Sequence, residues 1–169
     1  MRADIGKLKA RISFSLIIAA IAFLTGCGAG KTMVLKPSET KLQFASVDIF
    51  EGKSTVDVPE ADKALFQEKL SKFVYEEGGF QKGNDLKIAY RFIQFNPGSQ
   101  FTRYMWGGLG SSGEGTLTVE AKYSDVSDNE IATIQTEGKI SSGVFGGSFS
   151  FAIENCAKEI AEYTKKNFR

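Results

Sequence analysis

The apolar residues of this chain keep two different periods, and where each one holds limits the folds open to it. Leu117, Val119, Ala121 and Tyr123 alternate strictly with Thr118, Glu120 and Lys122, the two-residue repeat of a strand with one buried and one wet face. Leu86, Ile88, Tyr90 and Phe92 share a face with Lys87 and Arg91 opposite, although Ile93 and Phe95 make the second face partly apolar. Phe149, Ile153, Cys156, Ile160 and Tyr163 instead recur at spacings of three and four, one face of a helix that starts near Ser148 and runs almost to Arg169. A second helix has Pro59 at its first position, Glu60 and Asp62 at its positive end, and an apolar stripe of Leu65, Phe66, Leu70, Phe73 and Val74 that stops at Gly78 and Gly79. Ahead of it, Leu42, Phe44, Val47 and Ile49 alternate more loosely over residues 41–50, which predicts a first strand with a bulge near Ser46. Asp125 to Glu130 is turn chemistry, and Ile131 to Ile140 returns as the partner strand of a hairpin. The order β-α-β-β-β-α predicts an α+β fold: one domain over residues 41–169, with an antiparallel or mixed sheet of about four strands and both amphipathic helices packed on one face.

The first 26 residues follow a different logic. Arg2, Lys7, Lys9 and Arg11 make a basic start, and the uncharged run from Ile12 to Leu24 spans thirteen residues, short of the roughly 20 that cross a bilayer as a permanent helix. This is the pattern of an export signal, with residues 1–26 removed. Leu24, Thr25, Gly26 and Cys27 resemble the lipobox of bacterial lipoproteins. The resemblance implies cleavage between Gly26 and Cys27 and acylation of Cys27, so that the protein sits on a membrane through its acyl chains without crossing it. Gly28, rather than Asp, follows the cysteine, which by the same resemblance implies the outer membrane, facing the periplasm. Residues 27–40 are small, polar and proline-containing, and read as a flexible tether. Gly30, Lys31 and Thr32 imitate the end of a phosphate-binding loop, but the required earlier glycine is Thr25.

Composition narrows the chemistry. The 169 residues carry a formal charge of +1 and no histidine. Near-neutral charge argues against nucleic acid as a partner, and the slight positive excess leaves with the signal's four basic residues. The absence of histidine removes the commonest general base and a common metal ligand, and with them the Ser-His-Asp and Cys-His mechanisms. The reading is of a protein that is not an enzyme and uses no metal or cofactor. Cys156 lies on the apolar helix face and reads as a small buried hydrophobe rather than a nucleophile.

Three glycine-rich stretches punctuate the second half, and one of them, Gly143 to Gly147, opens onto the last helix. Anion binding by backbone N–H groups and plain service in turns are both open there. Upstream, Arg103, Tyr104 and Trp106 stand together before a glycine loop, and Phe145 lies within the later one. These are residue types enriched at protein interfaces, so they form a candidate interaction surface, although a lone tryptophan also suits a core.

The run from Gly98 to Tyr104 (G-x-x-x-x-R-Y), the turn after Asp125, Gly143 to Gly147 and the amphipathic helix reaching Tyr163 resemble the bacterial lipoproteins that carry the domain of unknown function 4410. The resemblance runs over about residues 40–168 and departs at the hairpin tip, Ser127 to Glu130, where family members often have Thr-Gly-Lys. It implies a class of protein and transfers no catalytic residue. The expected role is a non-catalytic adaptor or accessory factor in envelope assembly or transport, with an envelope protein as partner. The alternative is a binding module for a small or lipidic ligand on the second face of the sheet, near Ile93 and Phe95.

Overall fold

A computed structural model describes residues 30–39, 41–97, 115–139 and 149–169. Its strands are β1 (Lys31–Lys36), β2 (Ser46–Glu51), β3 (Gln81–Lys82), β4 (Leu86–Asn96), β5 (Thr116–Ser124) and β6 (Glu130–Lys139), and its helices are α1 (Glu60–Ser71) and α2 (Phe149–Phe168). The strands make one mixed sheet in the order β1-β6-β5-β4-β2-β3, in which β2 runs parallel to β4 and β3 while the other pairs are antiparallel.

The alternating residues of β4, β5 and β6 decide which face is covered. Leu86, Ile88, Tyr90 and Phe92 meet Leu117, Val119, Ala121, Tyr123, Ala132 and Ile134 on one face, all fully or almost fully buried. Helix α2 lies on that face through Ala152, Ile153, Cys156, Ala157, Ile160, Ala161, Thr164 and Phe168. The alanines among them leave room for the helix backbone to come close to the strands. At Gly138 on β6 an added Cβ would collide with the Ala152 carbonyl, so glycine is what lets α2 enter there. Helix α1 adds Phe66, whose ring packs at 4.9 Å from Tyr90 and 5.3 Å from Phe92. Tilted and edge-on aromatic contacts of this kind contribute about 0.5–1.5 kcal/mol each beyond area burial.

Helix α1 continues as a wider π-helical stretch, Lys72–Glu77, and stops where the glycines predict, with Gly79 at φ +74. The basic end of α2 caps this stop. Lys165 donates to the Glu77 carbonyl at 3.2 Å, Arg169 donates to the Gly78 carbonyl and lies 5.9 Å from the Phe80 ring centroid. Basic residues at the negative end of one helix thus satisfy the carbonyl end of its neighbour.

Three expectations change. The sheet has six strands rather than about four, because β3 adds a two-residue edge and the expected tether of residues 27–40 contains β1. Lys31–Lys36 pairs with β6 from Lys31 opposite Glu137 to Lys36 opposite Thr133, and the Thr32 hydroxyl donates to the Glu159 carboxylate on α2. The strand expected over residues 41–50 is β2 and begins at Ser46: the Phe44 N–H bonds the Phe168 carbonyl at 2.9 Å, at the end of α2, and the Ala45 carbonyl accepts from the Gln81 N–H at 3.0 Å. Finally, the register shifts between Phe92 and Gln94. Ile93 is the extra residue of that bulge, and Phe95 returns to the core face opposite Leu117, its ring 5.0 Å from Phe149.

Candidate functional site

Both described helices lie on one side of the sheet, and the polar half of each alternation lines the other, from the nearly fully buried Thr118 to the exposed Lys122. Lys87, Ala89 and Arg91 come from β4, Thr118, Glu120 and Lys122 from β5, Thr133, Gln135 and Glu137 from β6, each set brought alongside the next by strand register. The charges are matched across strands. Arg91 Nε donates to Glu120 at 2.7 Å, Lys122 lies 3.0 Å and Lys36 3.7 Å from Glu130, and Lys87 lies 2.7 Å from Asp128. The hydrogen bond to Glu120 raises the Arg91 pKa, and the bond from Lys122, with help from Thr133, lowers that of Glu130. Exposed pairs like these are each worth about 0–1 kcal/mol to stability. Their effect is rather to hold long side chains in fixed directions.

Over this face runs an open groove of 530 Å³ lined by Leu35, Lys36, Gly52, Lys53, Ala89, Arg91, Glu120, Lys122, Glu130 and Thr133. It crosses from β1 at one edge to the residues after β2 at the other, so it is as wide as the sheet. Four of its lining residues are basic and two acidic. Such a surface offers charge and hydrogen-bond matches, with Leu35 and Ala89 as apolar contacts between them. With Phe95 turned to the core, the apolar second face expected around Ile93 and Phe95 does not form. Among the described residues, no three Cys, Asp or Glu side chains gather as a metal site would need.

A second feature comes from topology. Asn96 pairs with Thr116, Thr116 with Lys139, and Lys31 with Glu137, so β4 and β6 end, and β5 and β1 begin, at one end of the sheet. Gly30 lies there against Asn155 and Glu159 of α2. The connections 98–114 and 140–148 leave from and return to this end. Arg103, Tyr104, Trp106 and Phe145, the candidate interaction surface, belong to them and lie outside the described residues, as do Gly26 and Cys27. Cys156 is in the core as expected: its thiol is fully buried, points at the Leu117 carbonyl at 3.5 Å, and burial pushes its pKa up to about 12. Lys31 and Thr32, the imitation phosphate loop, begin a strand.

The cross-strand pairs were half visible in the sequence. The wet-face positions of Lys87, Arg91, Glu120 and Lys122 follow from alternation, but which carboxylate meets which cation depends on register.

An α+β domain with two helices on one face of an open, six-stranded mixed sheet is the class of protein that this geometry defines. A family model described as Domain of unknown function (DUF4410) matches residues 60–144, from the start of α1 past the end of β6. The chain belongs to that family. Its fold is similar to that of PelC from Paraburkholderia phytofirmans. A dodecamer of a single-substitution variant of that protein matches with a TM-score of 0.50 at 10% identity, covering 85% of this chain and 99% of that one. A second PelC dodecamer from the same organism matches with a TM-score of 0.48 at 12% identity, covering 85% of this chain and 100% of that one. Among curated proteins none matches the chain. No helix among the described residues is long and apolar enough to cross a membrane.

Proposed function

We propose that this chain is a non-catalytic lipoprotein of the outer membrane, anchored through acyl chains on Cys27 and facing the periplasm, whose domain serves as an adaptor or accessory factor in envelope assembly or transport. The observation that carries this reading is the one-sided architecture. Both described helices are spent on one face, and the other presents a sheet-wide groove of cross-paired charges. A rigid, ion-paired platform suits docking against another macromolecule, since little side-chain entropy is left to lose on binding. Gly30, three residues after Cys27, lies at the end of the sheet where β4 ends and β5 begins, the strands that the segment with Arg103, Tyr104 and Trp106 joins in sequence, which supports a partner met close to the membrane.

Replacing Cys27 by Ala is expected to move the protein from the membrane to the soluble fraction after cell lysis. Photo-crosslinkers at Arg91, Lys122 or Trp106 are expected to trap a discrete envelope protein in the anchored chain. Unchanged membrane association would end the lipid-anchor account, and clean failure to trap a partner from all three positions would end the adaptor account. The groove also favours a second reading, a binding module for a small ligand. Its charged lining suits a polar ligand rather than a lipidic one, and saturable binding that is lost in Arg91→Ala and Lys122→Ala chains would mark it.

A further inference from the structure

The two lateral edges of the sheet differ in charge and are alike in having no further strand against them among the described residues. At one, β1 has β6 on its inner side and, among the described residues, no strand beyond it. Its sequence KTMVLK places Lys31 and Lys36 around Met33, Val34 and Leu35, which are 50%, 45% and 47% exposed. At the other, β3 pairs only with Ser46 and Val47. From Asp48 to Glu51, β2 has β4 on one side and, among the described residues, no strand on the other, and it carries two carboxylates and Phe50, 41% exposed. Of the seven large hydrophobic side chains exposed among the described residues, four lie on these two edge strands. An uncovered edge with apolar residues is a template for adding a strand, and most proteins blunt it.

We infer that the β1 edge of one copy pairs with the β2 edge of the next, making a head-to-tail assembly of this chain. The occupant follows from charge. Pairing β1 with β1 of a second copy in antiparallel register sets Lys31 against Lys36, and pairing β2 with β2 sets carboxylates against carboxylates. Only the unlike edges are complementary, and directly opposed like charges destabilise a strand pair. Chain direction agrees. Between β2 and β1 lie one parallel step (β2 to β4) and three antiparallel ones, so β1 runs opposite to β2. Copies related by rotation about an axis along the strands therefore meet antiparallel, the more stable ladder. The edge is also formed in advance, since β1 is held in the sheet by β6 and by the Thr32 bond to Glu159. Lys36 has Glu130 at 3.7 Å and Glu51 has Lys63 at 4.0 Å, and both of these contacts are partly exposed and compatible with an added partner.

A contact between unlike patches generates a ring or an open filament. With the rotation axis along the strands, every copy turns its Gly30 end the same way, so the geometry accommodates chains that all enter one membrane surface. The inference rests on the edge strands and does not depend on the adaptor reading, although Leu35 and Lys36 of β1 also line the groove.

The test uses two full-length charge-reversed chains, extracted in detergent and examined by analytical ultracentrifugation. One carries Lys31→Glu and Lys36→Glu, the other Asp48→Lys and Glu51→Lys. The unchanged chain is expected to sediment as an assembly that shrinks toward single-chain mass as salt screens the edges. Each reversed chain alone is expected at single-chain mass, because both of its edges then carry one sign. Mixed in equal amounts they are expected to reassemble, since each supplies the edge that the other lacks, and recovery on mixing also shows that both had folded. An unchanged chain at single-chain mass, reversed chains that assemble alone, or a mixture that stays dissociated would each overturn the pairing.

Discussion

Tyr90 is fully buried, and among the described residues its hydroxyl has no hydrogen-bond partner. Loss of water around it, with a smaller contribution from Glu51, pushes its pKa up to about 12. Tyr123, equally buried, is served differently: its oxygen lies 3.2 Å from the Ile160 carbonyl and 3.1 Å from the Thr164 hydroxyl. Stranding a polar group costs about 1–3 kcal/mol while a made bond returns about 1. Tyr90→Phe should therefore leave stability unchanged or raise it by about 1 kcal/mol, whereas Tyr123→Phe should lower it by a similar amount. Urea unfolding of both chains checks this, and a loss at Tyr90 as large as that at Tyr123 would show that the Tyr90 hydroxyl has a role.

At the scale of elements, close approach and turn chemistry carry the specificity. Gly138 admits the start of α2, and Gly138→Ala should cost about 1–3 kcal/mol by forcing helix and strand apart. The control is Gly52→Ala, where a new methyl meets the Tyr90 carbonyl at an ordinary 3.6 Å and melting should change little. The β5–β6 turn is organised by one side chain. Asp125 Oδ1 accepts from the N–H groups of Ser127 at 2.8 Å and Asn129 at 3.0 Å, Oδ2 accepts from the Asn129 amide at 3.1 Å, and Asp128 takes φ 62. These bonds, the Asn129 side chain first, lower the Asp125 pKa. A depressed carboxyl binds its proton less well folded than unfolded. Its contribution is complete above the unfolded value, and it is lost as pH falls through that value and then the folded one. Below about pH 4 the unchanged chain should thus lose stability more steeply than Asp125→Asn, and parallel acid titrations of the two would contradict this account of the turn.

For the whole molecule, periodicity read the interior well and the margins poorly. The core faces of β4, β5, α1 and α2, the turn at Asp125 and the burial of Cys156 were all legible, because each rests on neighbours within a few residues. The six residues of β1 looked like linker. They are short, lysine-bounded and followed by Pro37, and they become a strand only because β6, more than ninety positions on, supplies a partner. The same holds at Phe95, whose face is set by a bulge, and at Phe44, which alternates like a strand residue yet follows the last carbonyls of α2.

By itself, the sequence determined which side chains must leave water and, through the absence of histidine, which catalytic chemistries are closed to the chain. It also determined the family. The tertiary structure alone decided the number of strands, the cation that each carboxylate meets, and the two edges left open at the sides of the sheet. The physical reason is range: alternation and helical spacing are local constraints on burial, whereas register, edges and ion pairs exist only between segments that the fold brings together.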